Sequence, residues 1–259
     1  MRIMFLNHSS KREGDQKRET SVLALLQRYA SPGTTIEIDY PEDLGAGSAL
    51  RHLEQHKVLS GLHHILETPA LVKKIIEAER AGFDAVVQSN TFDPGVEAAR
   101  LAVRIPVVGL LRASCHFAAC LCERFAFIVP LESHVPYVYR IMETYRMGHF
   151  VTDVQAVNVY ESDMSKQHGL ILERAVALGR EMVAGGAQAI IPLGGLLFPY
   201  EVDPHELERE IGVPVINTKA VGIRFAELMV ISKTIHSPKA YPWSEGLKAE
   251  DVSRRTQKE

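Results

Sequence analysis

A chain of 259 residues with 46% hydrophobic and 24% charged content can bury a sizeable core, as one large domain or two small ones. Its net charge is -3, and the basic residues of Lys11–Glu19 and of the tail are interleaved with acids, which argues against nucleic acid as a partner. The N-terminal apolar run is too short for a signal peptide and no stretch approaches the roughly 20 apolar residues of a membrane span, so a cytoplasmic protein with a small-molecule partner is expected.

In chain order, short Val/Ile-rich strands are expected at Arg2–Leu6, Thr34–Tyr40, Asp84–Val87, Val107–Leu110, Phe125–Val129, Gln155–Val159, Ala189–Ile191 and Val213–Ile216. Most do not alternate apolar with polar residues, as befits parallel strands covered on both faces. Helical patterns separate most of them: Thr20–Tyr29, Pro69–Ala81, Gly95–Val103, Ala113–Cys122, Val135–Tyr145, Lys166–Ala184, Pro204–Ile211 and Ala220–Ser232. Thr68-Pro69 and Pro94-Gly95 read as helix starts, and Gly82, Gly186 and Gly212 as helix stops. Such alternation predicts an α/β protein with parallel sheets. From His236 onward a surface extension or disordered terminus is expected.

Three cysteines, Cys115, Cys120 and Cys122, fall in one short apolar helical segment. A disulfide framework would spread an even number along the chain, so a reducing compartment is the better reading. Their spacing, even with His116, matches no strong zinc pattern; packing is the expected role, with no metal and no cofactor.

Two stretches read as copies of one unit, Ala81–Gly109 and Gly185–Asn217. Each runs from a glycine-ended helix into an apolar strand, a polar or glycine-rich loop, a charged helix and a strand introduced by Ile-Pro or Val-Pro. The duplication predicts two pseudo-symmetric flavodoxin-like βαβ domains with the active site in the cleft between them: residues 1–108 with 213–235, then 109–212, with 236–259 as an extension. In open α/β sheets ligands bind beyond the carboxyl ends of the strands. The loops of interest are therefore Asn7–Ser10, Ser89–Pro94, Leu111–Ser114, Pro130–His134 and Leu193–Leu197.

Several segments carry a family likeness: LNHSS (Leu6–Ser10), ETPALVKKIIEAERAGFDAVV from Glu67, FDPGVEAAR (Phe92–Arg100) followed by IPVVG, RASCHFAA, GGAQAIIPLGG and GVPVIN. On these the chain resembles the Asp/Glu/hydantoin racemase superfamily, FDPGVEAAR being the most specific segment. The resemblance implies cofactor-independent proton exchange at an acidic carbon, one cysteine on each face of the substrate, and a homo-oligomer. A thiolate at a strand end near helix N-termini has a depressed pKa, and backbone N–H groups can hold the resulting carbanion. Here Asn90 stands where the resemblance places the first cysteine and Gly195 where it places the second. Asn is no general base at neutral pH and Gly has no side chain, so the two-thiol mechanism is not available as it stands.

Other groups must therefore carry the chemistry. His8 can move a proton near pH 7 or serve as a polar loop residue, and His134 reads as the latter. Asn7, Ser9 and Ser10 suit a substrate carboxylate or amide, with helix capping as the alternative. Ser89, Asn90 and Thr91 directly follow an apolar strand and can cradle a carboxylate or enolate, or simply form turns ahead of Asp93-Pro94. Arg112 can pair with an acidic group or open a solvated helix. Gly194 and Gly195 allow close backbone approach or a tight turn, and Leu196, Leu197 and Phe198 predict an apolar wall. The expected function is an isomerase of the racemase type working through an enolate-like intermediate on a small carboxylate or hydantoin-type compound, with His8 and Asn90 as catalytic candidates. A decarboxylase or other lyase needing a single proton donor, and a non-catalytic ligand-binding relative, are the alternatives.

Overall fold

Strand β1 (Arg2–Leu6) pairs in parallel with β2 (Thr35–Asp39) on one side and β3 (Ala85–Gln88) on the other, and β3 pairs with β4 (Val107–Gly109). The order is β2-β1-β3-β4. This computed structural model describes residues 1–8, 16–42, 55, 61–159 and 167–253. Between the strands run α1 (Gln16–Tyr29), α2 (Leu62–Arg80) and the short α3 (Val96–Arg100). Every residue of β3 and β4 is buried, which is why their sequences read as continuous apolar runs. Met4, Leu6 and Val86 pack against Leu71, Val72, Ile75 and Ile76 of α2.

A second sheet has β5 (Phe125–Val129) flanked by β6 (Val151–Ala156) and β7 (Ala189–Pro192), again all parallel. Its order is β6-β5-β7, and Val215 adds an isolated parallel bridge to Ile190. Counting that bridge as a fourth position, both sheets follow the flavodoxin-like order 2-1-3-4. The helices are α4 (Leu110–Ala119), α5 (Val135–Tyr145), α6 (His168–Ala184), α7 (Pro204–Ile211), α8 (Thr218–Ile231) and the short α9 (Ala249–Ser253). Asp203 caps α7 by accepting from the His205 N–H at 2.9 Å, and Gly212 ends it at φ 85, a conformation glycine adopts cheaply. The chain divides into two units, one comprising Leu62–Gly109, the N-terminal segment and the chain from Gly222, the other mainly Leu110–Val221.

Four elements differ from the sequence expectation. Pro69 lies inside α2 rather than at its start. The buried face of that helix, His63, His64, Glu67, Leu71, Val72, Ile75, continues upstream of the proline, so packing carries the helix through a residue that costs it one backbone bond. Strand β6 sits upstream of the expected Gln155–Val159; it is a half-buried edge strand, without the continuous apolar run that marks the central ones. Val213–Ile216 contributes a single bridge because only Val215 comes into register with Ile190. Helix α4 starts at Leu110, directly out of β4, and so takes in Arg112. The segment from His236 runs along the first unit: His236 Nε2 accepts from the Val107 N–H at 2.9 Å, Trp243 Nε1 donates to the Ala102 carbonyl at 3.2 Å, and Ala249 enters the core.

Leu71 is fully buried between α2 and the first sheet, and its Cβ lies where a Cβ on Gly95 would press at 3.3 Å. Leu71→Ala is expected to lower unfolding stability by about 2–5 kcal/mol, as read from a urea-denaturation midpoint with unchanged slope.

Candidate functional site

The loops that follow β1 and β3 lie side by side because those strands are hydrogen-bonded neighbours, Leu6 opposite Gln88. Asn7 binds both: its Oδ1 accepts from the His8 N–H at 3.0 Å and from Ser89 Oγ at 3.4 Å. After β3, Ser89, Asn90 and Thr91 are all buried. The Asn90 N–H donates to Gln88 Oε1 at 2.8 Å, and Asn90 Oδ1 accepts from the Phe92 N–H at 2.9 Å, an Asx turn. That leaves the Asn90 amide nitrogen as a donor, and it lies 3.1 Å from His64 Nε2 on α2. With Nε2 accepting, the imidazole proton is assigned to Nδ1. Phe92 lies 5.6 Å from the His64 ring and His63 lies 3.9 Å from it, measured between centroids.

Asp93 closes this loop at φ 55, a left-handed conformation unusual for a side-chain-bearing residue. Its carboxylate lies over Gly109, where an added Cβ would collide with it, so only glycine fits at the end of β4. Helix α2 brings a further group. Glu67 is fully buried, and neither carboxyl oxygen has a hydrogen-bond partner among the described residues. Burial pushes its pKa up to about 7 and pushes that of His63 down to about 4, so His63 is neutral at neutral pH and Glu67 carries its proton through the acidic range.

In the second unit the loop after β7 turns at Gly194, φ 101, with no room for a Cβ against Pro130. The N–H groups of Leu197 and Phe198 both donate to the Gly194 carbonyl, at 2.9 and 3.1 Å. Beneath the loop lies Lys219, the second residue of α8 and fully buried. Its Nζ donates to the carbonyls of Gly195 at 3.0 Å and Phe198 at 2.9 Å, and sits 4.4 Å from the centroid of the Tyr200 ring. Burial lowers the pKa of this ammonium to about 7. Arg112 stacks on Tyr145 at 5.2 Å, and His134 Nδ1 accepts from the Leu131 N–H at 3.3 Å, a local loop bond.

Of the residues singled out from sequence, Asn7, His8, Ser89, Asn90 and Thr91 thus gather in the first unit, whereas Arg112, Gly194 and Gly195 lie in the second. Ser9 and Ser10 fall outside the described residues. The apolar wall needs correction: Leu197 and Phe198 point into the core and only Leu196 is exposed. Cys115 is buried beside Met142 Sδ, at 3.8 Å. Among the described residues there is no group of three metal-ligating side chains, and no helix is long and apolar enough to cross a membrane. Sequence reasoning missed His63, His64, Glu67 and Lys219. Taking Pro69 as a helix start hid the first three, although the polar pair His63-His64 stands at core positions of the α2 pattern. Lys219 carries no local signal.

Two parallel three- or four-stranded sheets with polar and glycine loops at their carboxyl ends define an α/β protein of the two-domain, flavodoxin-like kind. The Asp/Glu/Hydantoin racemase family model matches residues 21–226. The chain belongs to that family, and its enzyme class is isomerase. It is 29% identical over 181 residues to a hydantoin racemase of Pseudomonas sp. (strain NS671), covering 70% of this chain and 72% of that one. Among solved structures it is similar to allantoin racemase from Pseudomonas fluorescens, with a TM-score of 0.80, 21% identity and coverage of 96% and 99% of the two chains. It is also similar to arylmalonate decarboxylase, with a TM-score of 0.57, 14% identity and coverage of 88% and 91%. At these identities the structures establish the fold.

Glu67 gives a pH signature of known sign. Its pKa is raised in the folded state, so the native protein holds a proton that the unfolded chain releases between about pH 4.5 and 7. The stability it contributes is complete below that window and is lost as pH rises through it. Wild type is therefore expected to lose roughly 2 kcal/mol relative to Glu67→Gln between pH 5 and pH 8, measured by urea denaturation of both proteins at each pH.

Proposed function

We propose that this protein is a cofactor-independent racemase or isomerase that works on a small carboxylate or hydantoin-type compound through an enolate-like intermediate, with imidazole and amide groups in place of thiols. The observation that carries the reading is Asn90 Nδ2 at 3.1 Å from His64 Nε2, in the loop where the family resemblance places a cysteine. Asn90 itself does not take protons; its amide occupies the His64 Nε2 lone pair at rest, and His64 takes a proton there once that amide turns to the substrate. In the forward step the substrate C–H bond breaks, its electron pair delocalises onto the adjacent carbonyl as an enolate, and the proton passes to an imidazole nitrogen. The reverse step returns a proton to carbon; solvent exchange on the imidazole accounts for isotope incorporation, and inversion requires the planar enolate to turn over in the site or a second donor, water or His8, to protonate its opposite face. Asn7, His8, Ser89 and Thr91 flank the same loop and supply donors for the enolate oxygen. The hydantoin and allantoin racemases among the relatives support the substrate class. A cytoplasmic homo-oligomer is the accompanying assignment.

A decarboxylase reading has one specific observation in its favour. The second loop presents Gly195, with no side chain, so a proton group is evident at one loop only, and decarboxylation requires a single proton delivery.

Incubation with each enantiomer of a 5-substituted hydantoin in deuterium oxide separates these readings. Racemisation is expected, with deuterium entering at C5 from both enantiomers. Release of carbon dioxide from a malonate-type substrate without exchange on hydantoins would favour the decarboxylase, and stabilisation by ligand without turnover would remove both readings. His64→Gln, which keeps much of the buried volume and a partner for the Asn90 amide, is expected to lower the exchange rate by roughly 10²–10⁴-fold with the fold retained by circular dichroism, as removal of a proton-transfer group does.

A further inference from the structure

Lys219 is a buried lysine with no counter-ion among the described residues. Its ammonium bonds to two carbonyls and lies against the Tyr200 ring, but no carboxylate pairs with it among the described residues. Carbonyl oxygens and a ring face satisfy N–H donors and leave the formal charge uncompensated, a costly arrangement in a protein interior. The charge has a polar outlet through the Gly195–Leu196 peptide. Gly195 directs its carbonyl at Lys219, and in a planar trans peptide the N–H of the next residue points the opposite way. That next residue is Leu196, which is exposed, and neither its N–H nor that of Gly195 has a partner among the described residues. The following two N–H groups are both spent on the Gly194 carbonyl, so the turn is closed behind the two free donors.

We propose that Lys219 is the positioning residue of this loop, holding the Gly195–Leu196 peptide with its N–H outward and supplying the positive charge behind it, so that the loop takes a small oxyanion. A carboxylate or enolate oxygen is the fitting class: two adjacent N–H donors suit one oxygen, and the buried ammonium gains its countercharge across one peptide unit. The second half of the duplicated scaffold is thereby an electrostatic half-site. That the oxyanion belongs to the reacting substrate rests on the function proposed above; the anion site itself does not.

The test is a titration of the full-length protein with malonate, followed by amide nitrogen–proton NMR, with sodium chloride at equal ionic strength as control. Wild type is expected to show saturable shifts at the Gly195 and Leu196 amides. In Lys219→Met, which keeps the stem and removes the charge, and in Lys219→Gln, which keeps a donor for the carbonyls, malonate affinity is expected to fall at least tenfold. Amide dispersion of the second sheet shows whether each variant keeps its fold. A variant that folds and binds malonate as tightly as wild type would overturn the proposal. So would a wild-type protein whose Gly195 and Leu196 amides do not respond, and that measurement stands even if neither variant folds. Deuterium exchange on hydantoins is scored separately: malonate shifts without exchange would retain the anion site and discard the racemase reading, and exchange without shifts would do the reverse.

Discussion

Parallel pairing of buried strands is the constraint from which the rest of this protein follows. Strands such as Ala85–Gln88 and Phe125–Val129 are covered on both faces, so their backbone groups must be satisfied by neighbouring strands and their side chains by helices. Parallel neighbours cannot be joined by tight turns, so each crossover carries a helix and each strand ends at the same edge of its sheet. The loops after β1 and β3 are adjacent for that reason alone, and the contact between Asn7 and Ser89 is its direct product.

On this shared scaffold the two loops have diverged in kind. The first is lined by side chains, with Asn90 tied at three points and backed by His64, His63 and Glu67 from α2. All of these are buried, and burial pushes the pKa of Glu67 up and that of His63 down. The second is built of backbone. Gly194 turns, the N–H groups of Gly195 and Leu196 have no partner among the described residues, and the Lys219 side chain lies beneath them. On the function and anion site proposed above, a scaffold that suggests two equivalent acid/base groups holds a proton-transfer loop and a charge-holding loop.

Much of the architecture was legible in the residues. Continuous apolar runs of three to five residues identified β1, β3, β5 and β7, because a strand buried on both faces admits little else. Gly82, Gly186 and Gly212 marked helix ends because positive φ is inexpensive only for glycine there. Edge elements were less legible: β6 is half exposed, and its composition does not separate it from a loop. Pro69 misled for a related reason, since a local helix-start signal was outweighed by the packing of His64, Leu71 and Ile75 on one face.

The sequence by itself determined the α/β class, the duplication and the family, and it put Asn90 and Gly195 where the resemblance expects thiols, since each is a matter of local pattern or of which residue stands in a motif. Only the tertiary structure decided which groups meet those positions. His64 reaches Asn90 from 26 residues upstream and Lys219 reaches Gly195 from 24 downstream, and no periodicity encodes a contact made across two packed elements. Burial likewise becomes definite only when neighbours close around a side chain, and it is burial that raises the pKa of Glu67 and lowers that of Lys219.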